Sequence, residues 1–201
     1  MPRVHSARNR DEFEVILITL EKRRGIKARW LEELTALWAL RISDLLAITT
    51  KQIDKAFIRG ELAIIEGKTK KRKVITLTDH AIGVLTAMRK KYPNDVFLFE
   101  SRFGGQRKPI SRKTVWRWMC EVEPELIKWR RTCGRKGGVN LGTHSLRKSG
   151  TRIRLQNGVK LESLQQLLNH SKPETTISYI DNNDQDLVDT FEAGDTALFG
   201  K

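Results

Sequence analysis

Cysteine is nearly absent from this chain: Cys120 and Cys133 are the only two in 201 residues. Two thiols cannot build the framework of a disulfide-stapled domain, and no charged-then-apolar leader precedes them, so a cytosolic setting is expected. No run of about 18 apolar residues exists, which excludes a membrane-spanning helix from the expected fold. The four histidines and two cysteines stand at no zinc-binding spacing, and no glycine-rich phosphate loop or carboxylate metal cluster is present, so no metal and no cofactor are expected. Tyrosine is scarce as well, with Tyr92 and Tyr179 the only two. Acidic residues are outnumbered, 24 against 38 Lys+Arg.

That imbalance gives a net charge of +14 and a pI near 10.1, a statement about partners more than about fold, and the common partner of such a chain is a polyphosphate. The charge is unevenly spread. Residues 181–201 hold six acids against Lys201 alone, a net −5, which leaves +19 on residues 1–180. A basic body suggests nucleic acid; the acidic tail, with Leu187, Phe191 and Leu198, suggests a contact with protein.

The apolar share of 39% indicates a folded chain. Residues 1–10 read as a linker or frayed end, 11–180 as the domain, and 181–201 as a tail. "DEFEVILITLEKRR" puts Phe13, Ile16, Leu17 and Leu20 on one helical face. "KARWLEELTALWALRISDLLAIT" reads as two helices with a break between Ala39 and Ile42. From Ile53 the apolar runs, separated by "RG" and "GKTKKR", read as a small antiparallel meander. Thr78 and Ser111 look like helix N-caps, the second for "RKTVWRWMCEV". Residues 107–136 carry ten Lys/Arg against three Glu and are read as a mobile basic segment beside a phosphate backbone. Three more helices follow, the first stopped by Gly158 and the last begun by Pro173. The fold class is mainly α with a small antiparallel β-sheet (α+β).

Four places combine functional side chains with unusual positioning. Arg41 sits in an apolar helical run with Asp44 three residues on; they form either a surface ion pair or a buried functional site. Lys68 follows Gly67 in a lysine-rich turn whose Lys70, Lys71 and Lys73 read as solvated. His144 and Arg147 share a face at a helix start, where free N–H groups suit an anion, although a capping histidine and a solvated arginine would look the same. His170 precedes Tyr179, which on its own reads more readily as a packed aromatic with a hydrogen-bonded hydroxyl than as a nucleophile.

The order Arg, Lys, His-x-x-Arg, His, Tyr resembles that of the catalytic domain of the tyrosine recombinases, the phage integrase family. "ALRISDLLAIT" is similar to the family's first arginine box, "EGKTKKRKVITL" to its lysine hairpin, and "THSLRKSGTRIRLQNGVKLESLQQLLNHSKPETTISYI" to its second box through its length. The resemblance implies the tyrosine recombinase catalytic-domain fold, and Arg41, Lys68, His144, Arg147, His170 and Tyr179 as catalytic residues with Asp44 in support. It departs from the family at Trp38-Ala39, commonly Thr-Gly, and at Asn169, usually glycine. The expected activity is site-specific DNA recombination for integration, excision or inversion, through a 3′-phosphotyrosyl intermediate. The alternatives are strand relaxation of the type IB topoisomerase kind and a non-catalytic DNA-binding regulator.

The chemistry fits the residues. A phenol with a pKa of about 10 must lose its proton as it attacks, for which His144 is the acceptor. Arg41 and Arg147 match the phosphate oxygens with paired donors, His170 adds another, and Lys68 protonates the leaving 5′-oxygen. Double-stranded DNA is the expected partner, with Lys70, Arg72, Arg107, Lys108, Arg112, Lys113, Arg117, Arg135 and Lys136 as its backbone contacts. The resemblance further implies a homotetramer on two DNA sites, with the tail either reaching a neighbouring subunit or packing on its own chain. The chain reads either as part of a longer integrase or, favoured by its Met1-Pro2 start, as a short recombinase like the fimbrial phase-variation invertases.

Overall fold

A computed structural model describes residues 4–102, 105, 107–134 and 138–179, with 178 and 179 described as backbone only. The arginine and lysine candidates Arg135 and Lys136 and the acidic tail therefore lie outside the described residues. The elements run α1 (Arg10–Arg24), α2 (Ile26–Trp38), α3 (Ile42–Leu46), α4 (Thr50–Arg59), β1 (Glu61–Ile65), β2 (Arg72–Thr76), α5 (Asp79–Lys91), α6 (Arg112–Thr132), α7 (Ser145–Gln156), α8 (Leu161–Leu168) and α9 (Pro173–Tyr179). The two strands pair antiparallel, Glu61 opposite Thr76 and Ile65 opposite Arg72. Helices with one small sheet are the architecture the sequence predicts.

Two apolar clusters carry the packing. The larger gathers Leu31, Leu34, Leu45, Ile53, Leu62, Ile75, Leu85 and Phe99, so α2 to α5 close around the inner face of the hairpin. The smaller joins α1, α6 and α7 through Ile16, Leu20, Met119, Val122, Leu126 and Leu146. Gly150 is where α7 meets α2. A Cβ there would lie 2.2 Å from the Ala36 carbonyl oxygen, so only glycine lets the two helices approach this closely. Residues 4–9, expected as a linker or frayed end, are tied to this cluster: Ala7 is fully buried, and its N–H donates to Ser149 Oγ at 2.8 Å. Among the described residues no helix is long and apolar enough to cross a membrane.

Two expectations are corrected. The run from Ile53, read as the first strand of a meander, is helix α4. Thr49 and Gln52 form a reciprocal capping box, Gly60 ends the helix in the left-handed region, and Thr50, Ile53 and Ala56 bury one stripe. Local capping and burial outweigh the β-branched composition that suggested a strand. The basic stretch 107–136, read as mobile, is largely α6, which runs through Pro124 to Thr132. Val115, Met119, Val122, Leu126 and Arg130 form its buried stripe, and that packing offsets the one backbone hydrogen bond proline removes.

The break between α2 and α3 is a single left-handed residue, Ala39, at φ 48° and ψ 40°. Alanine pays about 1–2 kcal/mol for that conformation. Ala39→Gly is expected to remove this strain, giving back part of it through the looser unfolded chain and a lost buried methyl. A net gain of about 0.5–1 kcal/mol, read as a rise in melting temperature of a few degrees, is the expected outcome; an unchanged or lower melting temperature would show that α2–α3 needs no relief.

Candidate active site

The left-handed turn at Ala39 sends the chain across the end of α2 and leaves Arg41 at the N-cap of α3, in extended conformation. A helix ends with four carbonyls that lack partners, and here side chains from elsewhere meet them. Arg154 of α7 donates to Ala36 O at 2.8 Å and to Leu37 O at 2.7 Å. Lys73 of β2 donates to Trp38 O at 2.7 Å and contacts Ala39 O at 3.5 Å. Cations at the C-terminal end of a helix dipole are favourably placed. Arg41 is thus launched from a fixed turn, and its side chain is 16% exposed.

Its nearer carboxylate is Glu66. Arg41 Nη1 lies 3.0 Å from Glu66 Oε1 and 3.9 Å from Asp44 Oδ2. Asp44 is instead a strut for the hairpin turn, its Oδ1 accepting the Gly67 N–H at 3.0 Å. A Cβ on Gly67 would stand 3.2 Å from that oxygen, so the absence of a side chain keeps the contact. Glu66 is fully buried. Burial opposes its charge, but the Thr69 hydroxyl at 2.6 Å, Arg41 and the charge of Arg147 hold its carboxyl below the usual carboxylate range. Lys68 follows on the turn and is exposed, with no hydrogen bond or ion pair to it among the described residues.

The second box supplies the rest. Arg147, in the first turn of α7, is 2% exposed, and its Nη2 donates to Leu168 O at 2.7 Å. His144 precedes the helix, exposed at its rim and making no side-chain cap. Partial desolvation and the neighbouring cations Arg147, Arg112, Arg41 and Lys148 lower its pKa from the ordinary imidazole value. His170 lies just beyond α8, its Nδ1 3.1 Å from Thr176 Oγ1 of α9. Burial brings its pKa down to about 4, helped by Arg147, Arg41 and Lys73 and opposed by Glu66. Arg41, Arg147, His144 and His170 therefore share one electrostatic neighbourhood although they come from three separate parts of the chain. Tyr179 closes α9, nine residues after His170; its side chain lies outside the described residues.

A profile of the phage integrase family matches residues 9–186. The chain belongs to that family. It is 32% identical over 142 residues to the probable integrase/recombinase YoeC of Bacillus subtilis (strain 168), covering 71% of this chain and 70% of that protein. It is 31% identical over 179 residues to tyrosine recombinase XerC of Chlamydia caviae, covering 84% of this chain. The chain spans about half of that XerC, 52% of its length. Among solved structures, a lambda integrase tetramer bound to a Holliday junction aligns with a TM-score of 0.62 at 20% identity, over 90% of this chain and 49% of that one; at that identity the likeness speaks for the fold.

In this integrase-family chain the two departures from the usual pattern share one backbone cause. Ala39 and Asn169 both adopt positive φ, 48° and 57°, the region in which glycine is least strained. Asn169 is a tolerated substitute and adds a contact of its own, Nδ2 to Glu66 Oε2 at 3.2 Å. Glu66 and Lys73 are the residues the sequence reading missed. Glu66 directly follows the apolar strand β1 and precedes Gly67-Lys68, which is its only signal. Lys73, read as solvated, is 7% exposed: it alternates inward with Ile75 along β2, and burial together with Arg147 draws its amine down to about 7, Glu66 opposing and Arg41 and Arg154 adding to the fall.

The described members of the expected DNA face, Lys70, Arg72, Arg107, Lys108, Arg112, Lys113 and Arg117, are all exposed. Arg107 donates to the Asn94 carbonyl at 3.0 Å, and the charge of Arg112, at the start of α6, is among those that lower the His144 pKa. Among the described residues no three His, Cys, Asp or Glu side chains come together as metal ligands.

Proposed function

We propose that this chain is the catalytic part of a site-specific DNA recombinase that cuts and rejoins strands through a 3′-phosphotyrosyl bond at Tyr179. The observation that carries this reading is the convergence of two guanidiniums, Arg41 and Arg147, with two imidazoles of lowered pKa. A dianionic phosphorane-like transition state needs paired donors on its non-bridging oxygens, and the arginines have the right fork. The lowered pKa of both imidazoles favours their neutral forms, in which His144 can take the phenol's proton while His170 donates from a ring N–H.

The step balances without a cofactor. The Tyr179 phenolate oxygen bonds to phosphorus, the P–O5′ bond breaks, the phenol proton passes to His144, and the 5′-oxygen takes a proton from Lys68. The turn is held at its base by Asp44 and at Lys71 by Ser171 Oγ at 2.5 Å, while the exposed Lys68 side chain between them has no such tie among the described residues and can reach the leaving group. Reversal by a 5′-hydroxyl of another strand gives exchange. The basic rim, Lys70, Arg72 and Arg112 with their neighbours, supplies phosphate contacts. The lambda relative's tetramer on a Holliday junction supports assembly of four chains on two DNA sites, with the acidic tail reaching a neighbour instead of DNA.

The test takes duplexes that the protein itself selects from a randomised pool, nicked beside the scissile position so that the freed fragment diffuses away. A protein–DNA adduct stable to detergent, with DNA joined through its 3′-phosphate, is expected. A selected, nicked duplex that yields no adduct would overturn the recombinase reading in favour of a non-catalytic DNA-binding protein.

A further inference from the structure

We infer that Lys73 is a positioning residue of this site, its ammonium joining the three chain segments that present Arg41, Lys68 and His170. The inference rests on the recombinase reading for its consequence, but the tie itself is geometric. Lys73 lies on β2, the strand leaving the Lys68 turn. Its Nζ donates to Trp38 O at 2.7 Å at the end of α2, three residues before Arg41, and lies beside Ala39 O at 3.5 Å. The same nitrogen donates to Leu167 O at 2.6 Å at the end of α8, three residues before His170.

An ammonium has three donors and no acceptor, which matches three carbonyls and nothing else. Two helix C-termini point at it, and each carries a partial negative charge. Two further contacts brace the same junction: Arg147 holds the next α8 carbonyl, Leu168 O, at 2.7 Å, and Asn169 reaches Glu66 at the base of the hairpin turn. Lys73 is the only one of these that also holds the end of α2. Without it, the turn into Arg41 and the turn into His170 are bridged through Glu66 but lose the tie between their two helix ends, and groups misplaced by about 1 Å cost on the order of 10²-fold in rate.

Lys73→Met keeps the stem and removes the donors; Lys73→Arg keeps a cation. On the nicked duplex at saturating protein, Lys73→Met is expected to form adduct about 10²-fold more slowly, with DNA affinity within about threefold of wild type, and Lys73→Arg to recover most of the rate. Hydrogen exchange reads the tie without activity: Lys73→Met should quicken exchange at residues 39–42, 66–71 and 167–170 and leave α1 unchanged. Wild-type adduct rate and wild-type exchange in Lys73→Met would overturn the inference. A loss of affinity equal to the loss of rate, or quickened exchange throughout the chain, would overturn it too, since either marks a general structural role. If wild type itself forms no adduct, the recombinase reading falls while the exchange pattern still decides whether Lys73 ties the three segments.

Discussion

Tyr179→Phe is expected to bind DNA as wild type does and to form no covalent adduct, whereas Arg147→Lys forms the same adduct about 10²–10³-fold more slowly. The two variants separate bond-making from charge stabilisation. Phenylalanine keeps the ring and removes the one oxygen that can bond to phosphorus, so the loss has no residual. In the proposed mechanism Arg147 works at the transition state, where one lost donor costs about 10²–10³ in rate. Lysine keeps the charge and loses the planar fork, and at this position the fork matters twice. The guanidinium is nearly sealed from solvent and already spends Nη2 on Leu168 O; a single ammonium nitrogen cannot hold that carbonyl and a phosphate oxygen in the same geometry. Single-turnover cleavage at saturating protein measures both. An adduct from Tyr179→Phe would move the nucleophile elsewhere, and a wild-type rate in Arg147→Lys would remove Arg147 from the transition state.

How much of this was legible in the sequence depends on the range of the interaction. His144, Arg147, His170 and Tyr179 lie within 36 residues on three consecutive helices, and each helix announces itself by period and by a stop such as Gly158 or a start such as Pro173. Their order and spacing along the chain could therefore be read without any long-range contact. Glu66 and Lys73 were not legible, because what gives them meaning is contact with Arg41, Trp38 and Leu167, up to 94 residues away. Alternation along β2 does place Lys73 on the face of Ile75, which was the available hint. The basic stretch shows a different failure. Charge counted along residues 107–136 hides the fact that α6 turns Arg112, Lys113 and Arg117 outward and Val115, Met119 and Val122 inward. A count along the chain has no faces. The pattern breaks at Ala39 and Asn169 become ordinary once the left-handed backbone at both is known.

Glu12→Gln is expected to destabilise the fold by about 3–5 kcal/mol, lowering the melting temperature by roughly 6–20 °C, with the exposed basic rim untouched. Glu12 in the first turn of α1 and Arg130 in the last turn of α6 are 0% and 2% exposed and form a two-pronged pair at 2.9 and 2.7 Å. The Arg8 N–H completes the set at 2.9 Å. Removing one charge leaves a guanidinium in the core with no counter-ion, a far larger cost than the pair's own net worth. An exposed comparison lies on the same two helices: Arg23 and Glu125 meet at 2.7 Å with their side chains 43% and 42% exposed, and Glu125→Gln should change stability by less than about 1 kcal/mol. The sign with pH follows from the carboxyl. Burial raises its pKa, but the Arg130 hydrogen bonds, the Arg8 N–H and the charges of both arginines outweigh that and leave it below the ordinary value. Its contribution is therefore full above the unfolded-state pKa and fades as pH falls through the lower folded value, so wild type and Glu12→Gln should converge in acid. Thermal melts of the three proteins from neutral to acidic pH measure this. If the pair matters only as a pair, Glu12→Leu combined with Arg130→Met recovers most of the lost stability; a double variant as unstable as Glu12→Gln would mean that packing, and not the stranded charge, sets the cost.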